Sequence, residues 1–326
     1  MRTLITLFLV IVLAAAGWAA WQIYAPLTPP ANTSILLRSG YSTRHIAVKL
    51  KKAGVIRSVF AFRLWRAIRH NRSLKAGEYL FDRPATLPQV ENRIARGDIY
   101  FHVVTIPEGY TIFDIAKVIE DAGLGSAQDF LQVAQSRTQL IADLAPEAKS
   151  LEGYLFPNTY QFTRTQTLEE MAAEMVHQFR QVAQQIGLNA DLHRTVTMAS
   201  IVEKETAAPE ERPLVASVYY NRLARRMALD ADPSVIYAQL LAGTYTGSLH
   251  HADLAVASPY NTYRSPGLPP GPIANPGRGA LEAALHPANT HFLYFVSDGN
   301  GHHRFSRNLE EHNRNVTAYR HALGLR

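Results

Sequence analysis

The chain has 326 residues, of which 47% are apolar, so it is long enough to bury a substantial core and is expected to form two soluble units. Its formal net charge is +6 and it contains no cysteine, which excludes a fold held together by disulfides. An exported protein without disulfides is compatible with this composition.

The N-terminal segment predicts a membrane-spanning helix. Residues 3–37 contain no acidic, basic or histidine residue. Their apolar part, residues 4–24, would form a helix about 30 Å long, which is enough to cross the hydrocarbon core of a bilayer. Aromatic residues that favour the membrane interface lie at the distal end of this segment: Trp18, Trp21 and Tyr24. We therefore predict a cytoplasmic stub at residues 1–2, a transmembrane anchor at 3–24 and a proline-rich linker at 25–34.

A cleaved signal peptide is the alternative interpretation, with residues 14–16, three alanines, as the cleavage site. The apolar and aromatic residues continue beyond that site, which favours an anchor. Arg2 is the only charge near the start, so the positive-inside rule indicates a cytoplasmic N-terminus. Both interpretations place the rest of the chain outside the cytoplasm.

The positive charge is concentrated in one segment. Residues 38–98 contain 14 Lys or Arg against 4 Asp or Glu, a local charge of +10. Such a segment predicts an anionic partner, namely phospholipid headgroups, a carboxylate-bearing cell-wall polymer or nucleic acid. Export argues against nucleic acid, and a solvated positive face without a partner is the alternative.

An internal repeat follows the linker. Residues 35–55 align without gaps on residues 104–124, so that Gly40-Tyr41 falls on Gly109-Tyr110. Each copy predicts a short strand, a glycine turn and an amphipathic helix that ends at a glycine. Residues 35–150 are therefore predicted to be an α+β repeat region, and small modules of this kind resemble the LysM glycan-binding domain.

The remainder, residues 151–326, predicts a mixed α+β domain with longer helices. Residues 168–187 and 211–227 have apolar residues at helical spacing, whereas residues 258–277 contain nine Pro or Gly and predict a long loop. Near the end, the Asp-Gly-Asn-Gly turn at 298–301 predicts a β-hairpin. The whole chain is assigned to the α+β class.

The stretch 195–207, TVTMASIVEKETA, predicts a helix that carries two carboxylates. Glu203 and Glu205 would lie about 200° apart on it and could not serve one cleft together. Glu203 shares its face with small or apolar residues, which would desolvate it and raise its pKa, as a general acid requires: Val196, Ala199, Ser200 and Ala207. Glu205 lies on another side, with Arg212 soon after, and is interpreted as an orienting or salt-bridged residue. The alternative is that both are solvated residues of a helix end.

Other chemistries have less support. The 13 histidines form no HExxH motif, and no GxSxG or P-loop motif occurs, so no metal site or cofactor is predicted. The side chains that remain can stack on sugar rings or form hydrogen bonds with sugar hydroxyls, as side chains do in sites that bind polysaccharides. The aromatic candidates are Tyr219, Tyr220, Tyr237, Tyr260 and Tyr263, of which Tyr219 and Tyr237 are alternatively core residues, and the polar candidates are Asn221, Asp232 and Asn261.

Six motifs then carry a resemblance. They are LEGYLFPNTYQF at 151–162, ASIVEKET at 199–206, VYYNRL at 218–223, DPSVIYA at 232–238, the loop at 258–277 and ALHPANTHFLYFVSDGNGHHRFS at 284–306. In this order they resemble the YceG-like family, the membrane-anchored endolytic murein transglycosylases of bacteria. The family usually has Gln-Thr before the Asp-Pro pair, whereas this chain has Asp230-Ala231.

The resemblance implies a single-pass inner-membrane protein with a cytoplasmic N-terminus, a LysM-like module and a catalytic domain at 151–326. Its substrate would be nascent peptidoglycan, its catalytic acid Glu203, and its further partners the peptidoglycan synthases (penicillin-binding proteins). A lytic transglycosylase needs one acid, because the C6 hydroxyl of N-acetylmuramic acid attacks C1 in place of water. Residues predicted to orient the substrate are Glu205, Asn221, Asp232, Tyr260, Asn261 and Tyr263.

Three alternatives remain open. A hydrolytic muramidase would use Asp230 or Asp232 as a second carboxylate. A non-enzymatic peptidoglycan-binding scaffold would use the basic repeats alone. A membrane-anchored protease is disfavoured, because no nucleophile or metal motif is present in the sequence.

Overall fold

The computed structural model describes residues 2–69 and 73–323. Met1 of the predicted stub and the last three residues of the predicted catalytic domain lie outside this range. The chain divides into two compact units, residues 1–103 with 161–167, and residues 104–160 with 168–326. This division differs from the predicted boundary at residue 150, because the second repeat copy belongs to the same unit as the long C-terminal helices.

The first unit begins with α1 (Arg2–Tyr24), a helix of 23 residues with a mean hydropathy of 2.3 and no buried residue. At 1.5 Å per residue it is about 35 Å long, so it can cross a bilayer. Within the described part of the chain it is the single helix that is long and apolar enough to do so. This is consistent with a single-pass membrane anchor.

The rest of the first unit packs three helices against a two-stranded sheet. Strand β1 (Thr33–Leu37) pairs antiparallel with β2 (Gly77–Phe81), and α2 (Thr43–Lys52) and α3 (Val59–Ile68) connect them. Helix α4 (Leu87–Arg96) follows. Serine or threonine side chains cap the N-termini of all three helices, which explains where each helix begins. The order strand, helix, helix, strand agrees with the predicted module, while its likeness to a LysM domain stays a prediction.

The second repeat copy has the same order of elements. Strand β3 (His102–Thr105) pairs with β4 (Thr159–Phe162), and α5 (Ile112–Asp121) and α6 (Ala127–Ser136) lie between them in the chain. The aligned glycines of the two copies, Gly40 and Gly109, have nearly the same φ, +82° and +75°. The sequence repeat is therefore also a repeat of local structure.

The remaining elements of the second unit are mostly helical. They are α7 (Leu168–Gln185), α8 (Leu192–Glu205), α9 (Arg212–Ala224), α10 (Asp232–Ala242), α11 (Arg278–Leu285), the hairpin of β5 (Tyr294–Ser297) and β6 (His303–Ser306), and α12 (Leu309–Ala322). Helix α8 lies at the centre, in contact with α9, α10 and α11. Its residues 195–202 are all buried, because this apolar run has neighbours on every side. The predicted hairpin and the long loop at 258–277 are confirmed.

Gly153 allows a close approach of three segments in this unit. Its φ is +88°, and an added Cβ would lie 2.4 Å from Cγ of Pro272 and 2.9 Å from Cγ1 of Val196. We expect Gly153→Ala to lower the free energy of unfolding by about 2–4 kcal/mol, from backbone strain and overpacking together. The measurement is denaturant unfolding of the purified variant.

Gly187→Ala is the matched control, because Gly187 has a similar φ of +72° but nothing within 4 Å of an added Cβ. It should cost only the backbone strain, about 1 kcal/mol. Equal losses in the free energy of unfolding for the two variants would show that crowding against Pro272 does not destabilise Gly153→Ala.

Candidate active site

The last turn of α8 holds Glu203 in a shielded position. Its Oε2 accepts a hydrogen bond from the backbone N–H of Gly277 at 2.9 Å, and its Oε1 accepts one from Nη2 of Arg212 at 3.1 Å. The side chain is 6% exposed. As predicted, the small and apolar residues on its face, Val196, Ala199 and Ser200, are fully buried. Ala207 was wrongly included there, because α8 ends at Glu205.

The surroundings of Glu203 act on its pKa in both directions. Burial raises the pKa above the usual range for a carboxyl and is the largest effect. The N–H of Gly277 and the charge of Arg212 oppose the rise, whereas the neighbouring negative charge of Glu108 adds to it. The result is a raised pKa, which is the property that a general acid requires near neutral pH.

Arg212 links two carboxylates. Its Nη2 lies 3.1 Å from Oε1 of Glu203 and 3.4 Å from Oε2 of Glu108, and its side chain is only 12% exposed. The ion-pair partner of Arg212 on α8 is therefore Glu203. Helix α9 begins at Arg212, with Pro213 in its first turn, and this places the arginine beside the end of α8.

Sequence reasoning missed Glu108. Its carboxylate lies against Gly277, where an added Cβ would be 1.9 Å from its Oε1, so only glycine fits at 277 without moving it. The alignment of the repeats contained a signal, because Glu108 falls on Ser39 of the first copy, next to the shared Gly-Tyr pair. A charged residue that appears in one copy alone is a candidate for a function specific to that copy.

The loop that supplies Gly277 is held by Asn275, which was also missed. The Asn275 side chain donates to the carbonyl of Tyr110 at 2.9 Å and to Oε1 of Glu152 at 2.8 Å, and accepts from the N–H of Leu155 at 2.9 Å. Its backbone forms two further bonds, with Gly109 and Tyr110. The asparagine therefore joins the motifs around 109, 152 and 275 into one rigid support.

Glu152 is a fully buried carboxyl in this support. It accepts hydrogen bonds from the N–H of Ile112, the first residue of α5, at 3.0 and 3.2 Å. Burial raises its pKa to about 8, although these bonds and one with Tyr237 act in the opposite direction. Glu152 is consequently protonated at neutral pH and is placed to support the loop rather than to react.

This raised pKa predicts that the protein loses stability as the pH rises. Between the ordinary pKa of 4.5 and the folded value of about 8, the folded state holds a proton that the unfolded state releases. The contribution of Glu152 to the free energy of unfolding is therefore fully present below about pH 4.5 and is lost as the pH rises to about 8, with a limiting slope of about 1.4 kcal/mol per pH unit. We expect Glu152→Gln, which resembles the protonated form, to flatten the dependence of the unfolding midpoint on pH. Glu310→Gln, at an exposed residue of α12, is the control; an unchanged slope in Glu152→Gln would contradict the assignment.

Glu205 directs its carboxylate to different partners than Glu203, as the helical geometry predicted. It accepts a hydrogen bond from the hydroxyl of Tyr219 at 2.7 Å, and burial raises its pKa to about 7. It lines a cavity together with Arg222, Asp230 and Asp232. Glu205 is also among the residues that border the groove at Glu203, while its carboxylate faces Tyr219 and the other cavity.

The other predicted site residues fall into two groups. Asp232 and Tyr263 line the Glu205 cavity and are joined by a 2.6 Å hydrogen bond from the tyrosine hydroxyl, while the half-buried Tyr260 packs on Tyr237. The two asparagines instead hold the backbone. Asn221 donates to the carbonyls of residues 290 and 292, and Asn261 to those of residues 254 and 256.

Two further positions lie near the site. The side chain of His303, in β6, is 16% exposed and lies 2.7 Å from Glu211. Asp230, the departure from the family pattern, has a φ of +51° and forms an ion pair with Arg222 at 3.3 Å. Tyr219 and Tyr237 are core residues, in agreement with the alternative interpretation of these two tyrosines.

In residues 2–69 and 73–323 no group of three or more metal-ligating side chains occurs.

Comparison with known proteins finds a matching family and similar proteins. The model of the YceG-like family matches residues 35–318. The chain belongs to the YceG-like family. An endolytic murein transglycosylase of Bacillus subtilis is 34% identical over 308 residues, which cover 88% of this chain and 85% of the relative.

Two further proteins are similar over most of this chain. An endolytic murein transglycosylase of Streptococcus pneumoniae is 30% identical over 94% of this chain, which spans 63% of that longer protein. The crystal structure of a YceG-like protein from Listeria monocytogenes is 33% identical, with a TM-score of 0.57 over 87% of this chain and 98% of that one. The family and its mixed α+β fold are thereby established.

Proposed function

We propose that this protein is a lytic transglycosylase that cleaves the β-1,4 bond between N-acetylmuramic acid and N-acetylglucosamine within peptidoglycan strands. The observation that carries the proposal is the shielded carboxyl of Glu203, held in a groove by Gly277 and Arg212. The relatives named endolytic murein transglycosylases supply the substrate and the reaction type.

In the proposed mechanism Glu203 acts first as an acid and then as a base. Its proton passes to the glycosidic oxygen, the bond from C1 to that oxygen breaks, and an oxocarbenium-like state develops on the muramic acid. The C6 hydroxyl of the same sugar attacks C1, and its proton returns to Glu203. The product has a 1,6-anhydro end, and no water is consumed.

The partners of Glu203 suit both steps. Burial raises the pKa of Glu203 and so favours the protonated carboxyl before the reaction. Once the proton has left, the N–H of Gly277 and the charge of Arg212 stabilise the carboxylate. Glu205, Asp232, Tyr260 and Tyr263 are proposed to contact the substrate. Asn221 and Asn261 would orient it indirectly, through the backbone that they hold.

The protein is proposed to act at the inner membrane on peptidoglycan strands. Helix α1 would span the inner membrane with its N-terminus in the cytoplasm, which places residues 151–326, the proposed catalytic domain, outside. Peptidoglycan strands are the proposed partner of both units, and the synthases that make them are a further one. The positive charge of residues 38–98 suits a carboxylate-bearing polymer or an anionic membrane surface.

Digestion of un-crosslinked glycan strands, followed by mass spectrometry, tests the reaction. We expect fragments whose muramic ends each have one water less than hydrolytic ends. Hydrolytic ends would favour the second candidate, a muramidase, which is supported by the carboxylates of Asp230 and Asp232 in the Glu205 cavity. Binding of strands without any release of fragments would indicate a scaffold and would refute the proposal.

A further inference from the structure

Helix α3 has an apolar face that the rest of its unit leaves uncovered. Phe60, Leu64 and Ile68 follow one another at intervals of four residues and are 71%, 43% and 73% exposed. Because residues four apart lie on one side of a helix, these three large side chains form a continuous stripe. The opposite side of α3, with Phe62 and Trp65, is buried in the core.

Helix α3 is attached to the end of the candidate membrane span. The guanidinium of Arg57, just before α3, donates to the carbonyls of Ala25 and Pro26 at 2.5 and 2.6 Å. It also lies 4.7 Å from the ring centre of Trp21. In addition, the rings of Tyr24 and Trp65 meet edge to face with 5.9 Å between their centres.

These contacts set the depth of α3 relative to a bilayer. Tryptophan and tyrosine at the end of a membrane-spanning helix favour the zone of the lipid headgroups. Trp65 of α3 packs on Tyr24, and Arg57, just before α3, lies over Trp21, so α3 lies at that same depth when α1 spans a membrane. An exposed apolar stripe at this level has a ready partner in the bilayer surface.

The charges beside the stripe suit an anionic lipid surface. Arg63 is exposed next to it, and Arg69 is exposed at the end of α3, with its guanidinium 4.6 Å from the ring centre of Trp65. Arg66 is paired with Glu91 and faces away. Basic residues that flank an apolar helical face are the pattern of helices that lie in a membrane interface.

We propose that α3 is an interfacial helix. Phe60, Leu64 and Ile68 enter the boundary between headgroups and acyl chains of the bilayer that α1 spans, and Arg63 and Arg69 contact lipid phosphates. This rests on the proposed anchoring of α1. The first unit is then attached to the membrane at two places, by a spanning helix and by a helix on the surface, which restricts its tilt.

The absence of cysteine makes a direct test straightforward. Phe60→Cys and Ile68→Cys are introduced singly into the full chain, labelled with an environment-sensitive fluorophore, and reconstituted in vesicles of phosphatidylethanolamine and phosphatidylglycerol. Quenching is measured with a spin-labelled lipid and with aqueous acrylamide. Leu241→Cys, at an exposed apolar residue of α10, is the matched control, and Leu9→Cys in α1 reports insertion.

We expect the spin-labelled lipid to quench the labels at 60 and 68 at least about twofold more strongly than the label at 241. Acrylamide should quench the label at 241 more strongly than the labels at 60 and 68. Acrylamide access equal to that at 241, together with lipid quenching at Leu9, would overturn the proposal and leave the anchor intact. No lipid quenching at Leu9 would overturn both. Protection that increases with the ratio of protein to lipid would show that a second copy covers the stripe, and would also overturn it.

The arginines are tested separately. Arg63→Gln combined with Arg69→Gln should reduce lipid quenching of the labels at 60 and 68 and leave that at Leu9 unchanged. Unchanged quenching at all three positions would overturn the part of the proposal that assigns lipid phosphates to these arginines.

Discussion

Replacement of Glu203 by Gln should reduce the cleavage of glycan strands by about 10³-fold or more, because an amide cannot supply the proton that the glycosidic oxygen needs. The fold should be unaffected. The amide oxygen can still accept the hydrogen bond from Gly277, and the raised pKa shows that the site does not favour the charged form. Activity is measured as the release of anhydro-ended fragments, and the fold by circular dichroism and the unfolding midpoint.

A surface variant controls for the loss of a carboxylate as such. Glu310→Gln removes an exposed carboxylate of α12 that pairs with Arg314 at the helix surface, and it should retain normal activity. Near-normal activity in Glu203→Gln would refute the assignment of the acid. Loss of activity together with a lowered unfolding midpoint would show that Glu203 is structural.

The two charged neighbours of Glu203 should shift the pH dependence of activity in opposite directions. Activity requires protonated Glu203, so it falls as the pH rises through the pKa of this residue. Arg212→Gln removes a charge that lowers this pKa, and the alkaline limb of kcat/KM should move up by about one pH unit. Glu108→Gln removes a charge that raises the pKa, and the limb should move down, by less because Glu108 is about half exposed.

The pair of variants separates electrostatic tuning from general damage to the site. A structural disturbance would lower kcat/KM at every pH without moving the limb. Arg225→Gln, at an exposed arginine beyond the end of α9, is the control for loss of a positive charge and should leave the limb in place. Shifts in the same direction for Arg212→Gln and Glu108→Gln would contradict an acid whose pKa is set by these two neighbours.

The arrangement also explains why one arginine lies between two carboxylates. A single strong ion pair would hold Glu203 ionised and unable to act as an acid, whereas Arg212 divides its charge between Glu203 and Glu108. Burial of Glu203 can then dominate, and its pKa rises. The same arginine is available to stabilise the carboxylate after the proton has moved.

The support behind the site determines how precisely these groups are held. The N–H that meets Glu203 belongs to Gly277, two residues after Asn275, whose side chain bonds to two separate segments, at Tyr110 and at residues 152–155. Ser200 on α8 accepts a hydrogen bond from the N–H of Ile273 at 3.0 Å in the same loop. The proline-rich loop is therefore bonded to the helix that carries the acid, which holds the N–H of Gly277 in a fixed position relative to the carboxylate of Glu203.

The sequence by itself determined the features that depend on neighbouring residues. The apolar run of α1, the hairpin at 298–301, the glycine turns of the repeat and the helix that bears Glu203 follow from periodicity and turn chemistry, which act over a few residues. The family also follows from the sequence, because its motifs are contiguous stretches. The raised pKa of Glu203 was predicted from the small and apolar residues that share its face of the helix.

Only the tertiary structure decided which distant groups meet. Glu108, Arg212 and Gly277 come from three separate segments, and no local pattern indicates that they converge on Glu203. The division between the units was missed for the same reason, because the pairing of β3 with β4 joins residues far apart in the chain. Hydrogen bonds between distant segments depend on how whole elements pack, and packing is a property of the assembled core rather than of any stretch of sequence.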